Sequence, residues 1–208
     1  MRWQRQTLVL VCITLLVLGA QYSFATPSLK ISTSKQVYEY GDFLSINFQV
    51  SEITSNTIII HITDSSNKTS QPINLPISKL NSTITTPLPF YKINFNPGIY
   101  RIDAQYSNVT ASTSFDLVDS GRIAIPMEFK SLVKTLQQGS AADKSYAAVI
   151  RELINDGTIN IPRYNQTDQV QIPQWFKKDI QWWSNDSISD NDFGMSIQYL
   201  IQKGIILV

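Results

Sequence analysis

The sequence predicts an α+β protein in which a β-rich part precedes a helical part. Three observations lead to this prediction. From Ser28 to Ser120, apolar and polar residues alternate, which is typical of half-buried strands. After Gly121 the apolar spacing becomes helical. The helical part also repeats itself at an interval of 47 residues, which indicates a duplicated unit.

The composition limits the classes of function. The chain has 208 residues, a net charge of +1, one histidine (His61) and one cysteine (Cys12). A balanced charge gives no basic surface for nucleic acid. A chain with one histidine and one cysteine cannot by itself form a His- or Cys-ligated metal site. We therefore expect no catalytic activity, no cofactor and no nucleic-acid partner.

Residues 1–25 read as a secretory signal peptide. Arg2 and Arg5 form a basic start, an apolar run follows, and Ala25 ends a stretch typical of a cleavage site. We expect cleavage after Ala25 and an extracellular or cell-surface location. Contact with a membrane is expected only if this segment stays uncleaved.

Residues 28–119 are predicted to form a seven-stranded β-sandwich. Turn signals rich in Gly, Pro, Asn and Asp separate the strands. This density of short strands is typical of an immunoglobulin-like sandwich, although the Cys-Trp-Cys core of antibody domains is absent. The expected strands lie near residues 29–31, 44–50, 58–63, 73–75, 91–95, 100–106 and 115–117.

Two corners of this part resemble those of a known family. They are the segment Tyr38-Glu39-Tyr40-Gly41-Asp42 and the segment Pro97-Gly98-Ile99-Tyr100. They are similar to the Gly-Asp and Pro-Gly corners of macroglobulin-type sandwiches in bacterial and archaeal surface proteins. The resemblance covers about residues 28–119 and implies an immunoglobulin-like fold.

The helical part consists of two sequence repeats. Residues 125–161 align without a gap with residues 172–208, and 11 of the 37 positions are identical. We place the first unit at 123–161, a linker at 162–169 and the second unit at 170–208. Each unit is predicted to run strand-helix-helix-strand, with a proline opening its first helix and a glycine ending its second.

The second unit resembles a module of secreted and cell-surface proteins from ammonia-oxidising archaea. The resemblance rests on the motif IPxWFK, the pair Trp182-Trp183, the segment ISDxDF and the run IQYLIxKGII. The first unit looks like a degenerate copy that lacks the tryptophans. The family has no established biochemical activity, so the resemblance implies an extracytoplasmic archaeal location rather than a reaction.

Three aromatic residues of the second unit are the candidate binding site. Trp175, Trp182 and Tyr199 align with Glu128, Thr135 and Glu152, so their positions accept polar residues and need not belong to the shared core. They could form an interface inside the protein or a site for a partner, either an envelope protein or a glycan. Trp183, by contrast, aligns with Leu136 and is expected in the core.

Other candidate chemistry is weaker. A secreted hydrolase would have to use His61 or the acidic loop of Asp186, Asp190 and Asp192, yet neither stands in a catalytic motif. The acidic loop also departs from the EF-hand calcium pattern. Asparagine sequons in a secreted chain predict glycosylated surface loops, while a Ser-, Thr- and Asn-rich composition explains them equally well. The sequons begin at Asn67, Asn81, Asn108, Asn165 and Asn185.

The sequence thus predicts an exported, non-catalytic module of the cell envelope that binds or assembles with another envelope protein or glycan. A carbohydrate-binding module that uses the exposed aromatic residues is the first alternative. An unrecognised secreted hydrolase is the second.

Overall fold

A computed structural model describes residues 27–54, 57–139 and 141–208. Within these ranges the chain forms eight strands and four helices, so the protein is α+β as the sequence predicts. The predicted signal peptide lies outside the described residues. In the described ranges, no helix is both long enough and apolar enough to cross a membrane.

The strands occupy the N-terminal part and form two sheets. Strands β1, β3 and β6 form an antiparallel sheet of three. The second sheet has the order β2-β8-β7-β4-β5, with β2 parallel to β8 and the other neighbours antiparallel. The bounds are β1 Leu29–Thr33, β2 Val37–Glu39, β3 Ser45–Val50, β4 Ile58–Thr63, β5 Ile73–Leu75, β6 Asn81–Thr85, β7 Gly98–Tyr106 and β8 Val109–Val118.

The inward faces of both sheets contribute to one hydrophobic cluster. The alternation predicted for β3 and β7 is confirmed, because every second side chain of these strands is buried. Aromatic rings fill the centre of the cluster: Tyr100 of β7 and Phe115 of β8 stack with their centroids 5.2 Å apart. The buried residues of β3 and β7 are Ile46, Phe48, Val50, Tyr100, Ile102, Ala104 and Tyr106.

The strand assignment differs from the prediction of seven strands in two ways. Strands β2 and β6 are additional, and the strand expected at residues 91–95 is wrong, because that segment is a turn in which Tyr91 accepts hydrogen bonds from the N–H groups of Asn94 and Phe95. Phe90 and Tyr91 are both buried although they are consecutive, which a half-buried strand does not allow. β6 was missed because Ile84 is its one apolar residue.

The four helices form two pairs and share a second hydrophobic cluster. The first helix pair consists of α1 (Met127–Gln138) and α2 (Asp143–Asn155), and the second consists of α3 (Gln174–Ser184) and α4 (Asp190–Gln202). Both ends of α4 lie 47 residues after those of α2, as the sequence alignment requires.

The strands predicted at the edges of each unit are wrong. In the described residues of this region, the extended segments form one isolated bridge, in which the backbones of Gln171 and Leu207 exchange hydrogen bonds of 3.0 and 3.1 Å. A single bridge is too short to count as a strand. The segments are therefore extended coil that passes beside the helices.

The termini of α4 follow the chemistry that the sequence indicates. Ser189 caps the start, since its hydroxyl accepts a hydrogen bond from the N–H of Asp192 (3.1 Å). At the other end Gly204 has a φ of 66°, a conformation that favours glycine. The N–H groups of Gly204 and Ile205 then bond to the carbonyls of Ile201 and Leu200, which is a Schellman motif.

A short extended segment joins the β-rich part to α4. Ala124 belongs to the cluster of the sheets, whereas Ile123 and Ile125 belong to the cluster of the helices. The N–H groups of these two isoleucines donate hydrogen bonds of 3.1 and 3.0 Å to the side chains of Asn191 and Asp190. The segment therefore contributes to both cores and is fixed to the first turn of α4.

Gly194 in α4 makes this close approach possible. A Cβ atom at Gly194 would lie 2.7 Å from Cδ1 and 2.8 Å from Cγ2 of Ile123. The equivalent position of the first helix pair holds Ala147, which is fully buried. The second pair has therefore lost a methyl group at the point where Ile123 packs on its helix.

Candidate functional site

Two tryptophans lie on the exposed side of α3. Trp175 and Trp182 are two helical turns apart, and each keeps 51% of its surface exposed. Lys178 and Asp179 lie between them, three or four residues from each, so the four side chains share one side of the helix. We call this side, formed by Trp175, Lys178, Asp179 and Trp182, the tryptophan face.

The third tryptophan of α3 belongs to the core, as its alignment with a leucine predicts. Trp183 is fully buried, and its ring stacks on Phe193 of α4 with centroids 4.3 Å apart. Its indole Nε1 donates a hydrogen bond of 2.9 Å to the carboxylate of Asp190. The prediction that Trp183 is a core residue is therefore confirmed.

The tryptophan face is open to solvent. The sequence left open whether Trp175 and Trp182 pack inside the protein or face a partner. Half of each residue stays exposed, so neither ring is enclosed by the first helix pair or the sheets, and both can contact a partner. The ring of Trp175 meets Phe176 edge to face, with centroids 5.9 Å apart, so a buried neighbour supports its orientation.

Tyr199 is exposed but separate from the tryptophan face. It lies on α4 with 56% of its surface exposed, and the Nζ atom of Lys203 is 5.8 Å from its ring centroid. In the described part of the chain, its ring contacts neither Trp175 nor Trp182. The structure thus brings two of the three predicted site residues together and leaves the third on another helix.

Asp179 is a residue of the face that the sequence analysis missed. It is half-buried, and burial raises the pKa of its carboxyl group. Among the described residues, no hydrogen bond or ion pair satisfies this carboxylate. The available signal was its spacing, four residues after Trp175 and three before Trp182.

The two helix pairs are joined by reciprocal ion pairs. Lys130 of α1 contacts Asp190 of α4 (2.9 Å) and the nearby Asp186 (2.7 Å). Lys177 of α3 contacts Asp143 of α2 (2.6 Å). Lys130 and Lys177 are equivalent in the two sequence repeats, as are Asp143 and Asp190. Each pair thus supplies a lysine to the aspartate of the other.

The three carboxylates of the acidic loop each bind a partner within the protein. Asp190 accepts hydrogen bonds from Trp183 and Ile125 besides its ion pair. The hydrogen bond from Lys130 holds the pKa of Asp186 below its usual value. Asp192 accepts a hydrogen bond of 2.6 Å from the hydroxyl of Ser189. Among the described residues, no group of three His, Cys, Asp or Glu side chains has the arrangement of a metal site.

His61 lies on β4, opposite Asp103 of β7. Its Nδ1 is 3.3 Å from the carbonyl oxygen of Ser70. The hydroxyl of Ser112 donates a hydrogen bond of 2.6 Å to Asp103, and this bond holds the pKa of Asp103 below its usual value. A serine nucleophile would instead need its hydroxyl on the histidine. This cluster therefore lacks the geometry of a catalytic triad.

All five sequon asparagines are exposed, as glycan acceptors must be. They lie in turns, on the edge strand β6, in the linker and after α3, and Asn67 has a φ of 63° in the turn after β4. Their modification remains a prediction. The asparagines are Asn67, Asn81, Asn108, Asn165 and Asn185.

A cleft of about 650 Å³ lies between the β-rich part, helix α1 and the loop that joins α3 to α4. The exposed apolar side chains of Phe43 and Met127 contribute to its walls. Two of its cations are already paired, because Arg122 contacts Asp42 and Lys130 contacts the acidic loop.

Comparison with known proteins gives no family. No family model matches the chain, and no curated protein matches it. Solved structures do match part of the chain, and three of them each cover 44% of it.

Three of these structural matches are a β-glucosidase from Listeria innocua, the PKD domain of an M14-like peptidase from a Thermoplasmatales archaeon, and the bacterial superantigen toxic shock syndrome toxin-1. Their TM-scores are 0.27, 0.26 and 0.30, with identities of 16%, 9% and 12%. The matches cover 16% of the glucosidase, 96% of the PKD domain and 99% of the toxin. Scores of this size carry no information about activity.

Proposed function

We propose that the protein is an exported, non-catalytic binding module that attaches to another component of the cell envelope through its tryptophan face. One observation carries this proposal. Two of the three indoles of α3 are half exposed on one side of the helix, while the third is fully buried. Exposed aromatic surface with polar groups beside it is typical of a binding surface.

The first helix pair provides the internal reference for this proposal. Its residues equivalent to Trp175 and Trp182 are Glu128 and Thr135, and both are exposed. The helix thus folds with polar side chains at these positions. Since packing does not require indoles there, and each indole leaves apolar area in water, a role outside the fold accounts for them best.

The finer architecture is part of the same proposal. We interpret the two sheets as an immunoglobulin-like sandwich, and the helix pairs as tandem copies of one module. The matching ends of α2 and α4 and the reciprocal lysine–aspartate pairs support the second interpretation. In this arrangement the sandwich carries the helix pairs, and the second pair carries the binding surface.

Export to the cell surface rests on the sequence of residues 1–25 and on the resemblance of the second unit to archaeal surface modules. The exposure of all five sequon asparagines is compatible with it. Attachment to an envelope protein or glycan follows from that location.

The alternative of a secreted hydrolase gains no support from the geometry. The side chains of His61, Asp103 and Ser112 are near each other, but the hydrogen bond runs from serine to aspartate. The carboxylates of the acidic loop are held by Lys130, Trp183 and backbone N–H groups. Neither group leaves a base paired with a nucleophile.

The experiment is a pull-down from detergent-solubilised envelope of the producing organism. The wild-type chain is compared with the double variant Trp175→Glu/Trp182→Thr, which receives the residues of the first helix pair. We expect the wild type to retain envelope material that the folded variant does not.

A matched control changes the first helix pair and leaves the tryptophan face intact. The variant Met127→Gln/Leu132→Asp removes two exposed apolar side chains and introduces the residues of the second pair. Retention by this control should equal that of the wild type. Equal retention by all three chains would contradict the proposal.

A further inference from the structure

We propose that the tryptophan face binds an uncharged glycan chain, with Trp175 and Trp182 stacking on sugar rings and Asp179 accepting hydrogen bonds from sugar hydroxyls. This inference rests on the proposed function and names the chemical class of the partner.

The two indoles provide stacking surfaces in a line. They lie seven residues apart on one side of α3, which corresponds to about 10.5 Å along the helix axis. A linear chain of sugars that runs along the helix can therefore contact both rings at separate residues. The edge-to-face contact of Trp175 with the buried Phe176 supports the orientation of one ring before any ligand binds. Such preorganisation lowers the entropy cost of binding.

Asp179 provides the polar group between the rings. Its carboxylate is half-buried and finds no hydrogen-bond donor in the described part of the chain. Solvent reaches the oxygens of this carboxylate, and burial of the residue raises its pKa. Sugar hydroxyls would replace that water as donors to an ionised acceptor, which makes strong hydrogen bonds.

The charges of the face favour an uncharged partner over a charged one. Lys178 and Asp179 are the two charged residues of the face, and their charges cancel. Asp179 would repel an acidic chain and Lys178 would repel a basic chain. Electrostatic attraction would therefore add little to the affinity for either. The exposed amides of Gln174 and Gln181 beside the face add both donors and acceptors. Such a set suits a polyhydroxylated chain.

The first helix pair lacks all of these groups. Its equivalents of Trp175, Asp179 and Trp182 are Glu128, Leu132 and Thr135. It therefore contains no stacking ring and places an apolar side chain where the second pair has a carboxylate. The first pair is thus a non-binding reference within the same chain.

Affinity electrophoresis tests the inference. The probe is the glycan fraction of the producing organism's envelope after exhaustive protease digestion, cast in a native gel. Half of the fraction is first oxidised with periodate, which cleaves vicinal diols of sugars to aldehydes, and is then reduced with borohydride so that no aldehyde is left to react with lysines. We expect the untreated fraction to retard the wild-type chain, and the oxidised fraction to have no such effect.

Three variants sharpen the result. Removing both rings with Trp175→Glu/Trp182→Thr should weaken binding by about tenfold or more, since two aromatic contacts are lost. Asp179→Leu, which introduces the residue of the first pair, should weaken it more than Asp179→Asn, because asparagine still accepts a hydrogen bond. The control variant Met127→Gln/Leu132→Asp should migrate like the wild type.

The outcomes separate this inference from the proposed function. If undigested envelope is retained by the wild type and not by the tryptophan variant, while the digested fraction retards neither, the partner is a protein and the inference is wrong. The same holds if periodate leaves the retardation unchanged. If undigested envelope does not distinguish the two chains, the proposed function fails as well.

Discussion

In the first helix pair, Lys130 contacts Asp190 of the second pair, and in the second pair Lys177 contacts Asp143 of the first. The four residues occupy two equivalent positions of the sequence repeats, and these positions kept the same residue types in both. The contacts cross between the pairs rather than staying within one. These two identical positions therefore hold one helix pair against the other.

The positions that differ between the repeats give the second pair features that the first pair lacks. Trp183 replaces Leu136 and adds a stacked ring and a hydrogen bond to the core of the second pair. Gly194 replaces Ala147 and admits Ile123. The second pair thus holds the larger core ring, and the first turn of its α4 is bonded to the segment that leaves the β-rich part. It also carries the exposed rings of α3, which the first pair lacks.

The largest effect should come from the core position that distinguishes the second pair. Trp183→Ala removes a fully buried ring and leaves Asp190 without one donor, so it should lower the free energy of unfolding by about 3–5 kcal/mol. Trp175→Ala on the same helix should cost less than about 0.5 kcal/mol. Chemical denaturation followed by circular dichroism measures both. Equal losses would show that the exposed and buried sides of α3 are wrongly assigned.

A methyl group at Gly194 should have the next largest effect. In Gly194→Ala the new Cβ overlaps Ile123, and the overpacking should cost about 1–3 kcal/mol. A double-mutant cycle with Ile123→Ala checks the cause, since the truncated side chain gives the methyl more room. The cost of Gly194→Ala should then fall. If Gly194→Ala costs the same with Ile123 as with Ala at position 123, the close contact with Ile123 is not the reason for a glycine at position 194.

The reciprocal ion pairs should contribute less and unequally. Lys130 has 18% of its side chain exposed and binds two carboxylates, whereas Lys177 has 27% exposed and binds a single carboxylate. Lys130→Met should therefore cost about 1 kcal/mol and Lys177→Met about 0.3 kcal/mol. Denaturation at low and high salt measures both effects. The effect of Lys177→Met should vanish at high salt; a larger effect at Lys177 than at Lys130 would reverse the comparison.

Exchanging the exposed surfaces should change stability least. Replacing Glu128 and Thr135 by Trp, together with Trp175→Glu/Trp182→Thr, should alter the free energy of unfolding by less than about 0.5 kcal/mol. All four positions are exposed, so the two helices accept either set. Thermal denaturation of the exchanged chain measures this. A loss comparable to that of Trp183→Ala would mean that the rings serve the fold.

Much of the helical part could be predicted from the sequence because the repeats act as an internal alignment. The shared glycines Gly157 and Gly204 predicted where α2 and α4 end, and the alignment with Leu136 predicted the burial of Trp183. The capping residue Ser189 was also evident, because a cap depends on residues three positions apart. Local patterns are sufficient where the interaction is local.

The remaining features depend on how distant segments meet. The contact of Lys130 with Asp190 joins residues 60 apart. The equivalent contact of Lys177 with Asp143 cannot be inferred until the two helix pairs are placed side by side. Gly194 is explained only by Ile123, which lies outside the repeat. In the β-rich part, β6 forms through pairing with β3 rather than through its own apolar pattern. Asp179 was missed for another reason, since its spacing from Trp175 and Trp182 is local but only the aromatic residues of this helix were considered as a site.

The most direct test of the tryptophan face as a docking surface is acrylamide quenching of tryptophan fluorescence, with and without solubilised envelope. The chain used carries Trp3→Phe and is labelled with 5-hydroxytryptophan, which can be excited apart from the tryptophans of envelope proteins, so that only the three indoles of α3 report. Two of these are half exposed and one is buried. The account predicts that envelope material protects the accessible fraction from acrylamide. Unchanged quenching while the chain is retained on the envelope would place the docking surface elsewhere.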